Sequence, residues 1–251
     1  MKQHLTKSVA GLLLLLSFVS CQRPWVASPN LETTDVPVSE FIPADSQLES
    51  QIEPYRNQVT VKMSEVLGTA PSAIGVAAYD SPLGKFVVDL QFTQTEPVYG
   101  KKIDLSLTTN GGLRVPLPEG NITTGNVFEL MPFENELVVL TLQGEVVKQL
   151  FDYAAEAKFA SIGNSTYTVS DGKPTNIKIG GKPLNPDQTY TLVTSDYLAG
   201  GGDDLKMLKN TVKYEKTGIL LRDAIMDQIR QITAAGLQVT ADPKKRVTVL
   251  P

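Results

Sequence analysis

The sequence predicts an α+β fold: a single domain with a mixed β-sheet packed by helices. Segments with helical apolar spacing alternate with short strand-like segments, and the turns Asp171-Gly172 and Gly180-Gly181 join some of these strands. The chain has 251 residues, of which 41% are hydrophobic and 20% charged, so it can bury an ordinary core. No internal repeat interrupts this pattern, and we therefore expect one folded domain.

Helices are predicted where apolar residues recur at spacings of three and four. Ser46-Gln47-Leu48-Glu49 is a capping-box pattern, and it starts the first of these segments. The predicted helices cover residues 46–68, 84–90, 123–130, 143–157 and 218–235. In the helix over 143–157, the residues expected to face the core are Val146, Val147, Leu150 and Phe151.

Strands are predicted where apolar and polar residues alternate, or where Val and Leu dominate a short run. The predicted strands cover residues 103–107, 136–142, 167–169, 176–179, 189–194 and 247–250. Three loops beside these elements carry the chemically distinctive residues.

The first 20 residues are predicted to be a secretory signal peptide. Lys2 and Lys7 precede an apolar run, Ala10 to Val19, that is too short for a stable membrane span. Cys21 follows directly and is the predicted lipidation site of a bacterial lipoprotein. The alternative is ordinary secretion with a free thiol.

Residues 21–44 contain scattered Pro, Ser and Thr and lack the apolar periodicity of a helix or a strand. This composition predicts a flexible, lipid-anchored tether. The folded domain is then expected over residues 45–251. The expected location is the bacterial cell envelope, on the periplasmic or cell-surface side, with the membrane reached through the lipid on Cys21.

The net charge and the lack of histidine and of a second cysteine limit the partners and the active sites that the mature chain can have. Cleavage before Cys21 removes Lys2 and Lys7 and takes the formal charge from −4 to −6, so an acidic body argues against a nucleic-acid partner. Cleavage also removes His4, the one histidine. Without histidine and without a second cysteine, nearly all zinc sites and histidine-dependent nucleophiles are excluded. We therefore expect no metal and no cofactor in this chain.

The first distinctive loop is Asn110-Gly111-Gly112-Leu113-Arg114. Glycines allow a tight turn whose amides can face an anion, and arginine offers a forked donor that matches phosphate. A structural turn with a surface arginine is the plain alternative.

The second loop is Pro132-Phe133-Glu134-Asn135, between a predicted helix and a predicted strand. An exposed ring beside an amide suits a nucleobase, because the ring stacks and the amide bonds the base edge. The alternative is that Phe133 belongs to the core.

The third loop follows a predicted strand and contains Tyr197, three glycines and Asp203. The run Gly200-Gly201-Gly202 indicates unusual backbone angles or close contact, and the carboxylate of Asp203 can accept two hydrogen bonds from a ribose diol. The alternative is a flexible loop in which Asp203 or Asp204 caps a helix.

Taken together, the three loops resemble the C-terminal, substrate-binding domain of the 5'-nucleotidase family. The interval of 19 residues from Arg114 to Phe133 and that of six from Tyr197 to Asp203 are similar to the family's. So are the segments Gly120-Asn121-Ile122-Thr123 and Leu184-Asn185-Pro186-Asp187. The resemblance covers residues 45–250 and implies a fold like that of this domain.

The resemblance implies a role for each loop. Phe133 and Tyr197 would sandwich the base, Asn135 would touch it, Asp203 would bind the ribose, and Arg114 would bind the phosphate end. The remaining predicted substrate-binding residues lie in turns where the ligand could come close to the backbone. They are Asn110, Gly111, Gly112, Gly201 and Gly202.

The sequence departs from the family at the phosphate end. Two arginines usual in the family are missing from Ala73 to Asp80, and Lys85 is expected to replace their charge only in part. The glycine turn also differs, since Thr109 takes a position usual for asparagine or serine and Asn110 displaces a glycine.

The family's enzymes place a metallophosphoesterase domain before this one, and no residues for it are present here. The expected function is therefore the nucleotide- or nucleoside-recognition half of a split 5'-nucleotidase. Phosphate-ester hydrolysis, and the divalent metals it needs, would belong to a separate subunit. The alternatives are a non-enzymatic lipoprotein that scavenges or senses nucleosides or nucleotides, and a structural envelope protein.

Overall fold

A computed structural model describes residues 42–250, and a compact unit that contains all the sheets begins at Ser50. The strands are β1 (Val66–Ala70), β2 (Leu105–Thr109), β3 (Gly120–Thr123), β4 (Glu136–Gln143), β5 (Ala160–Gly163), β6 (Ser165–Ser170), β7 (Lys173–Ile179), β8 (Lys182–Pro183), β9 (Thr189–Ser195), β10 (Lys213–Leu220) and β11 (Val247–Val249). The helices are α1 (Ser46–Met63), α2 (Pro82–Tyr99), α3 (Thr124–Leu130), α4 (Gly144–Ala157), α5 (Asp196–Ala199) and α6 (Leu221–Ala234).

Within residues 42–250 the strands form three sheets. A five-stranded sheet has the order β10-β4-β9-β2-β5, a four-stranded sheet the order β11-β6-β7-β8, and β1 pairs with β3. Both larger sheets are mixed, because β2 runs parallel to β9 and β11 runs parallel to β6. Helices pack on these sheets, so the predicted α+β fold with a mixed sheet is confirmed.

The five-stranded sheet is covered on both faces. In β4, Val138, Leu140 and Leu142 face one core with α4, while Leu137 and Val139 face a second core with α2 and α6. Successive strand residues point to opposite faces, and a strand buried on both faces therefore reads as a continuous apolar run. The inward face predicted for α4 is confirmed, because Val146, Val147, Leu150 and Phe151 are all buried.

The direction of the strands brings several chain segments to one end of this sheet. β4 is antiparallel to β9 with Leu137 opposite Ser195, so β4 starts where β9 ends. Parallel pairing with β9 puts the end of β2 there as well, and antiparallel pairing of Thr109 with Ala160 adds the start of β5. The end of β10 follows, since Leu220 pairs with Glu136. We call this the site end of the sheet.

The first helix is shorter than predicted. α1 ends at Met63 rather than residue 68, because Val66 already begins β1, which pairs with β3. Its cap is Asp45 rather than Ser46: Oδ1 of Asp45 accepts from the amides of Gln47 at 2.9 Å and Leu48 at 3.1 Å. No residue of α1 is buried, so its apolar spacing does not mark a core face.

The second helix is longer than predicted. α2 starts at Pro82 with Ser81 as its cap and continues to Gly100, whose left-handed φ of 76° ends it. The second half of α2 contains many polar residues and lacks the apolar spacing from which a helix is predicted. One of these polar residues, Gln91, is nevertheless buried and donates to the carbonyl of Leu107 at 3.2 Å.

The remaining differences concern short elements and edge strands. The strands β1, β3, β5, β8 and β10 and the short helix α5 were not predicted, and residues 218–220, predicted as the start of a helix, belong to β10. The pairing of β10 with β4 decides this, because isolated edge residues carry little periodicity of their own. The predicted signal peptide, Cys21 and most of the tether lie outside the described residues and stay predictions.

Candidate functional site

The site end of the sheet brings together the three loops that the sequence analysis singled out. The turn after Thr109 follows β2, the loop with Phe133 precedes β4, and the loop with Tyr197 and Asp203 follows β9. The strand directions therefore gather segments that are distant in sequence. The ligand roles of the individual residues remain predictions.

Asp203 links two of these loops through its carboxylate. Oδ2 accepts a hydrogen bond from Oγ1 of Thr109 at 2.5 Å, and Oδ1 accepts one from the hydroxyl of Tyr197 at 2.9 Å. Thr109 is buried at the end of a central strand, so the carboxylate is attached to the rigid part of the fold. Asp203 does not act as a helix cap, the alternative role considered for it.

The glycines beside Asp203 allow close packing. A Cβ on Gly111 would lie 3.1 Å from Oδ2 of Asp203, and a Cβ on Gly202 would lie 2.5 Å from ring atoms of Tyr197. Gly201 has a φ of 89°, which side-chain-bearing residues rarely adopt. A Cβ on Gly112 would meet its nearest neighbour, Cε of Met131, at 3.9 Å. A side chain at position 202 would therefore displace the ring of Tyr197, one at 111 would press on the carboxylate of Asp203, and one at 112 would meet only ordinary contact.

These contacts hold the ring of Tyr197 in one orientation. One side of the ring rests on Gly202, its hydroxyl bonds Asp203, and the residue remains 52% exposed. Ser195 caps the short helix α5 that carries it, its Oγ accepting from the amide of Leu198 at 3.2 Å. The outer face of the ring is therefore available for stacking.

Phe133 is also exposed, at 46%, so it does not belong to the core as the alternative proposed. Its loop is bonded to the start of α6, because the carbonyl of Asn135 accepts from the amide of Leu221 at 2.9 Å. A stacking role for this ring is compatible with its exposure.

Arg222 supports the Phe133 loop, and the sequence analysis did not identify it. Its guanidinium lies 4.2 Å from the centre of the Phe128 ring and is 3.5 Å from both the carbonyl of Met131 and the carboxylate of Glu134. Arg222 is 7% exposed. A cation of this kind stabilises a loop chiefly when little water reaches it.

The amides of the two residues that follow the glycine pair are bonded inside the protein. The amide of Leu113 donates to the carbonyl of Asn110 at 3.1 Å, and that of Arg114 donates to the carbonyl of Leu130 at 3.0 Å. The exposed Arg114 side chain is 3.4 Å from the carbonyl of Gly111. Asn110 joins the turn to its neighbours, its side-chain amide donating to the carbonyl of Ala77 at 3.0 Å.

The expectation that Lys85 replaces part of the missing phosphate charge is wrong. Its side chain is only 8% exposed and forms an ion pair with Asp80 at 3.3 Å. It also donates to the carbonyl of Lys244 at 3.1 Å. A buried ammonium that is already paired cannot reach a ligand at the surface.

The comparison with protein families decides the affiliation. The family described as "5'-nucleotidase, C-terminal domain" matches residues 61–210, more than half of the chain. The chain belongs to the 5'-nucleotidase C-terminal domain family. All ten residues predicted to bind substrate lie inside the matched range.

Relatives of this 5'-nucleotidase C-terminal domain are longer proteins. Protein UshA of Escherichia coli is 25% identical over 217 residues, which are 82% of this chain and 38% of UshA. The 5'-nucleotidase of Vibrio cholerae is 26% identical over 213 residues, 80% of this chain and 37% of the relative. The chain thus spans less than two fifths of the length of these relatives.

A solved structure has the same fold as this C-terminal domain. The 5'-nucleotidase precursor of Thermus thermophilus superposes with a TM-score of 0.69 at 24% identity, over 83% of this chain and 44% of that one.

Tyr153 contacts the Asp203 loop from α4. Its hydroxyl donates to the backbone carbonyl of Asp203 at 2.6 Å, and its ring packs edge-on against Phe159 with centroids 6.0 Å apart. Burial, and then the nearby charges of Asp203 and Asp204, raise the pKa of Tyr153 to about 12. The phenol therefore stays protonated and acts as a donor at neutral pH. A cleft of about 340 Å³ lies here, lined by Tyr153, Glu156, Ala157, Phe159, Asp203 and Asp204.

A larger cleft, of about 750 Å³, lies elsewhere, between α2 and β6. Its most buried charge, Arg246, is bonded to both carboxylate oxygens of Asp89 at 2.8 and 2.6 Å and to Asp242 at 2.9 Å. Because these groups satisfy one another, the cleft is the weaker candidate despite its size.

The described residues do not fit a metal centre of the kind that metallophosphoesterases use. Across residues 42–250, no three or more His, Cys, Asp or Glu side chains cluster so that they could hold a metal ion. Over the same range, no helix is long and apolar enough to cross a membrane.

Proposed function

We propose that this chain is the nucleotide- or nucleoside-recognition half of a split 5'-nucleotidase. In this proposal it holds base and ribose, while a separate metallophosphoesterase subunit, with its own divalent metals, hydrolyses the phosphate ester. The lipid on Cys21 would keep the complex at the cell envelope.

One observation carries the proposal: the carboxylate of Asp203 is held between the hydroxyls of Thr109 and Tyr197, at the same end of the sheet as two exposed aromatic rings. Each carboxylate oxygen accepts one hydrogen bond inside the protein and keeps a lone pair for another. A ribose offers two adjacent hydroxyls, and a base offers two faces for stacking. A nucleoside matches both requirements.

Membership in the 5'-nucleotidase C-terminal domain family supports the nucleotide-recognition part of this proposal. Relatives named 5'-nucleotidase are more than twice as long as the region they share with this chain. In this proposal, a second polypeptide carries the catalytic part of such an enzyme.

The first experiment is titration of the purified chain with adenosine and with AMP by calorimetry. Binding of either ligand is expected. The chain is then mixed with the candidate catalytic subunit, and turnover of AMP is measured. We expect little or no hydrolysis by the chain alone and restored hydrolysis by the mixture.

Two substitutions test the base site in the mixture. Phe133→Ala and Tyr197→Ala should each lower kcat/KM. The loss should correspond to about 1–3 kcal/mol of transition-state stabilisation, the usual value of one lost stacking contact. Tyr55→Ala is the control, because Tyr55 is a surface ring of α1, 72% exposed, and belongs to none of the three loops. Unchanged kinetics with both site rings removed would contradict the base sandwich.

A second function has one observation in its favour. Because Lys85 is buried and paired, and residues 73–80 lack arginine, Arg114 is left as the cation proposed for phosphate. This arrangement favours a nucleoside over a nucleotide. A clear preference for adenosine over AMP, with no gain in hydrolysis from the catalytic subunit, would support a non-enzymatic scavenging or sensing lipoprotein.

A further inference from the structure

The backbone around Asp203 has an unusual conformation. Asp203 has a φ of 50° and Asp204 a φ of 62°, so two consecutive residues with side chains are in the left-handed region. Aspartate tolerates this region better than most residues, but the conformation is still less stable than the right-handed one. It persists only where surrounding contacts hold it.

Tyr153 provides such a contact from a rigid element. It lies on α4, whose neighbouring residues Leu150 and Phe151 are fully buried. Its hydroxyl donates to the carbonyl of Asp203 at 2.6 Å, and its ring is fixed by the edge contact with Phe159. The loop is therefore attached to the core at its backbone and not only at its carboxylate.

The three hydroxyls around Asp203 have separate tasks. The hydroxyls of Thr109 and Tyr197 donate to the two carboxylate oxygens of Asp203 and fix the direction of its side chain. The hydroxyl of Tyr153 donates to the backbone carbonyl of Asp203 and fixes the position of the backbone from which that side chain extends. A carboxylate whose plane and position are both set in advance can accept from both hydroxyls of a cis-diol without first being ordered by the ligand.

We propose that Tyr153 is a positioning residue for the recognition of a vicinal diol: through the carbonyl of Asp203 it holds the carboxylate where the 2'- and 3'-hydroxyls of a ribonucleoside can donate to both oxygens. This inference rests on the proposed function. Tyr153 acts through Asp203 and does not itself touch the ligand.

The substitution Tyr153→Phe tests the inference, because it removes the hydroxyl and keeps the ring against Phe159. The matched control is Tyr167→Phe. Tyr167 is more buried than Tyr153 and, like it, packs edge-on against an aromatic ring, that of Phe151, but its hydroxyl has no hydrogen-bond partner within the described residues. Both variants are made in the full chain, and thermal unfolding confirms that each is folded.

The measurement compares the dissociation constants of adenosine and 2',3'-dideoxyadenosine by calorimetry. The unsubstituted chain should prefer adenosine. Tyr153→Phe should weaken adenosine binding by about 3- to 10-fold, the usual range for one lost hydrogen bond, and change dideoxyadenosine binding by less than about 2-fold. Tyr167→Phe should leave both constants unchanged.

A merely structural role for Tyr153 makes a different prediction, because a loosened site would weaken both ligands together. An equal loss for both, or an unchanged preference for adenosine, would overturn the inference and leave the proposed function intact. If the unsubstituted chain binds neither adenosine nor AMP, the proposed function itself fails. Should Tyr153→Phe not fold, Tyr153→His replaces it, since the shorter ring does not reach the carbonyl, and the same preference is measured.

Discussion

Oγ1 of Thr109 lies 2.5 Å from Oδ2 of Asp203, although 94 residues separate the two in the sequence. Thr109 ends the central strand β2, and Asp203 lies in the loop beyond β9, the parallel neighbour of that strand. The contact therefore exists because two parallel strands end at the same edge of the sheet. It fixes the carboxylate that we propose to bind the sugar.

Thr109→Val should weaken the binding of adenosine by about 3- to 10-fold, because it removes one hydrogen bond to a charged acceptor and keeps the size of the side chain. Thr109→Ser keeps the donor and serves as the control. Calorimetry with the purified chain measures both. Equal affinities of the Val and Ser variants would show that this hydroxyl does not position Asp203.

Gly202→Ala should displace the ring of Tyr197, since its Cβ would lie 2.5 Å from the ring atoms Cε1 and Cζ. The expected result is a loss of nucleoside affinity comparable to that of Tyr197→Ala, about 1–3 kcal/mol. Gly75→Ala is the control, because a Cβ there meets only Cβ of Pro116 at an ordinary 3.9 Å. Binding by Gly202→Ala as tight as in the control variant would show that the ring is not held by this contact.

Arg222→Met should destabilise the fold by about 1–2 kcal/mol, because it removes a largely buried cation that lies over the Phe128 ring. Arg230→Met, on the same helix α6, is the control. Arg230 is exposed and pairs with Asp227 and Glu65 at the surface, so its loss should cost less than about 0.5 kcal/mol. Chemical unfolding compares the two variants, and equal free energies of unfolding would count against a supporting role for Arg222.

The decrease in the free energy of unfolding at low pH should depend in part on Asp242. The hydrogen bond from Arg246, followed by that from the amide of Lys244, lowers the pKa of Asp242 below its usual 3.8. A lowered pKa in the folded state means that the stabilisation is present above the unfolded pKa and is lost as the pH falls through the folded one.

Asp242→Asn should therefore reduce stability at neutral pH and flatten the decline of stability below about pH 4. Unfolding free energies measured from pH 7 down to pH 2 would show this. Asp152→Asn removes an exposed ion pair with Lys148 and should change the curve less, because water screens that pair. A parallel curve for Asp242→Asn and the unsubstituted chain would refute the coupling to Arg246.

Local sequence alone was enough to predict the main elements and the three site loops. The inward face of α4 and the apolar run of β4 follow from periodicities that each segment carries within itself. The loops with Arg114, Phe133 and Asp203 are likewise recognisable from short patterns and their spacing. For the same reason, the family was identifiable before the fold was known.

The tertiary structure decided which residues support the site and which do not. Tyr153 bonds a carbonyl 50 residues away, Arg222 bonds one 91 residues away, and Lys85 is buried by a contact with Lys244, 159 residues away. No local pattern encodes such contacts, because they arise only when strands distant in sequence pair and their ends meet. The chain's own periodicity therefore determined the location of its longer helices and central strands, whereas strand pairing determined some of their ends and the geometry of the site.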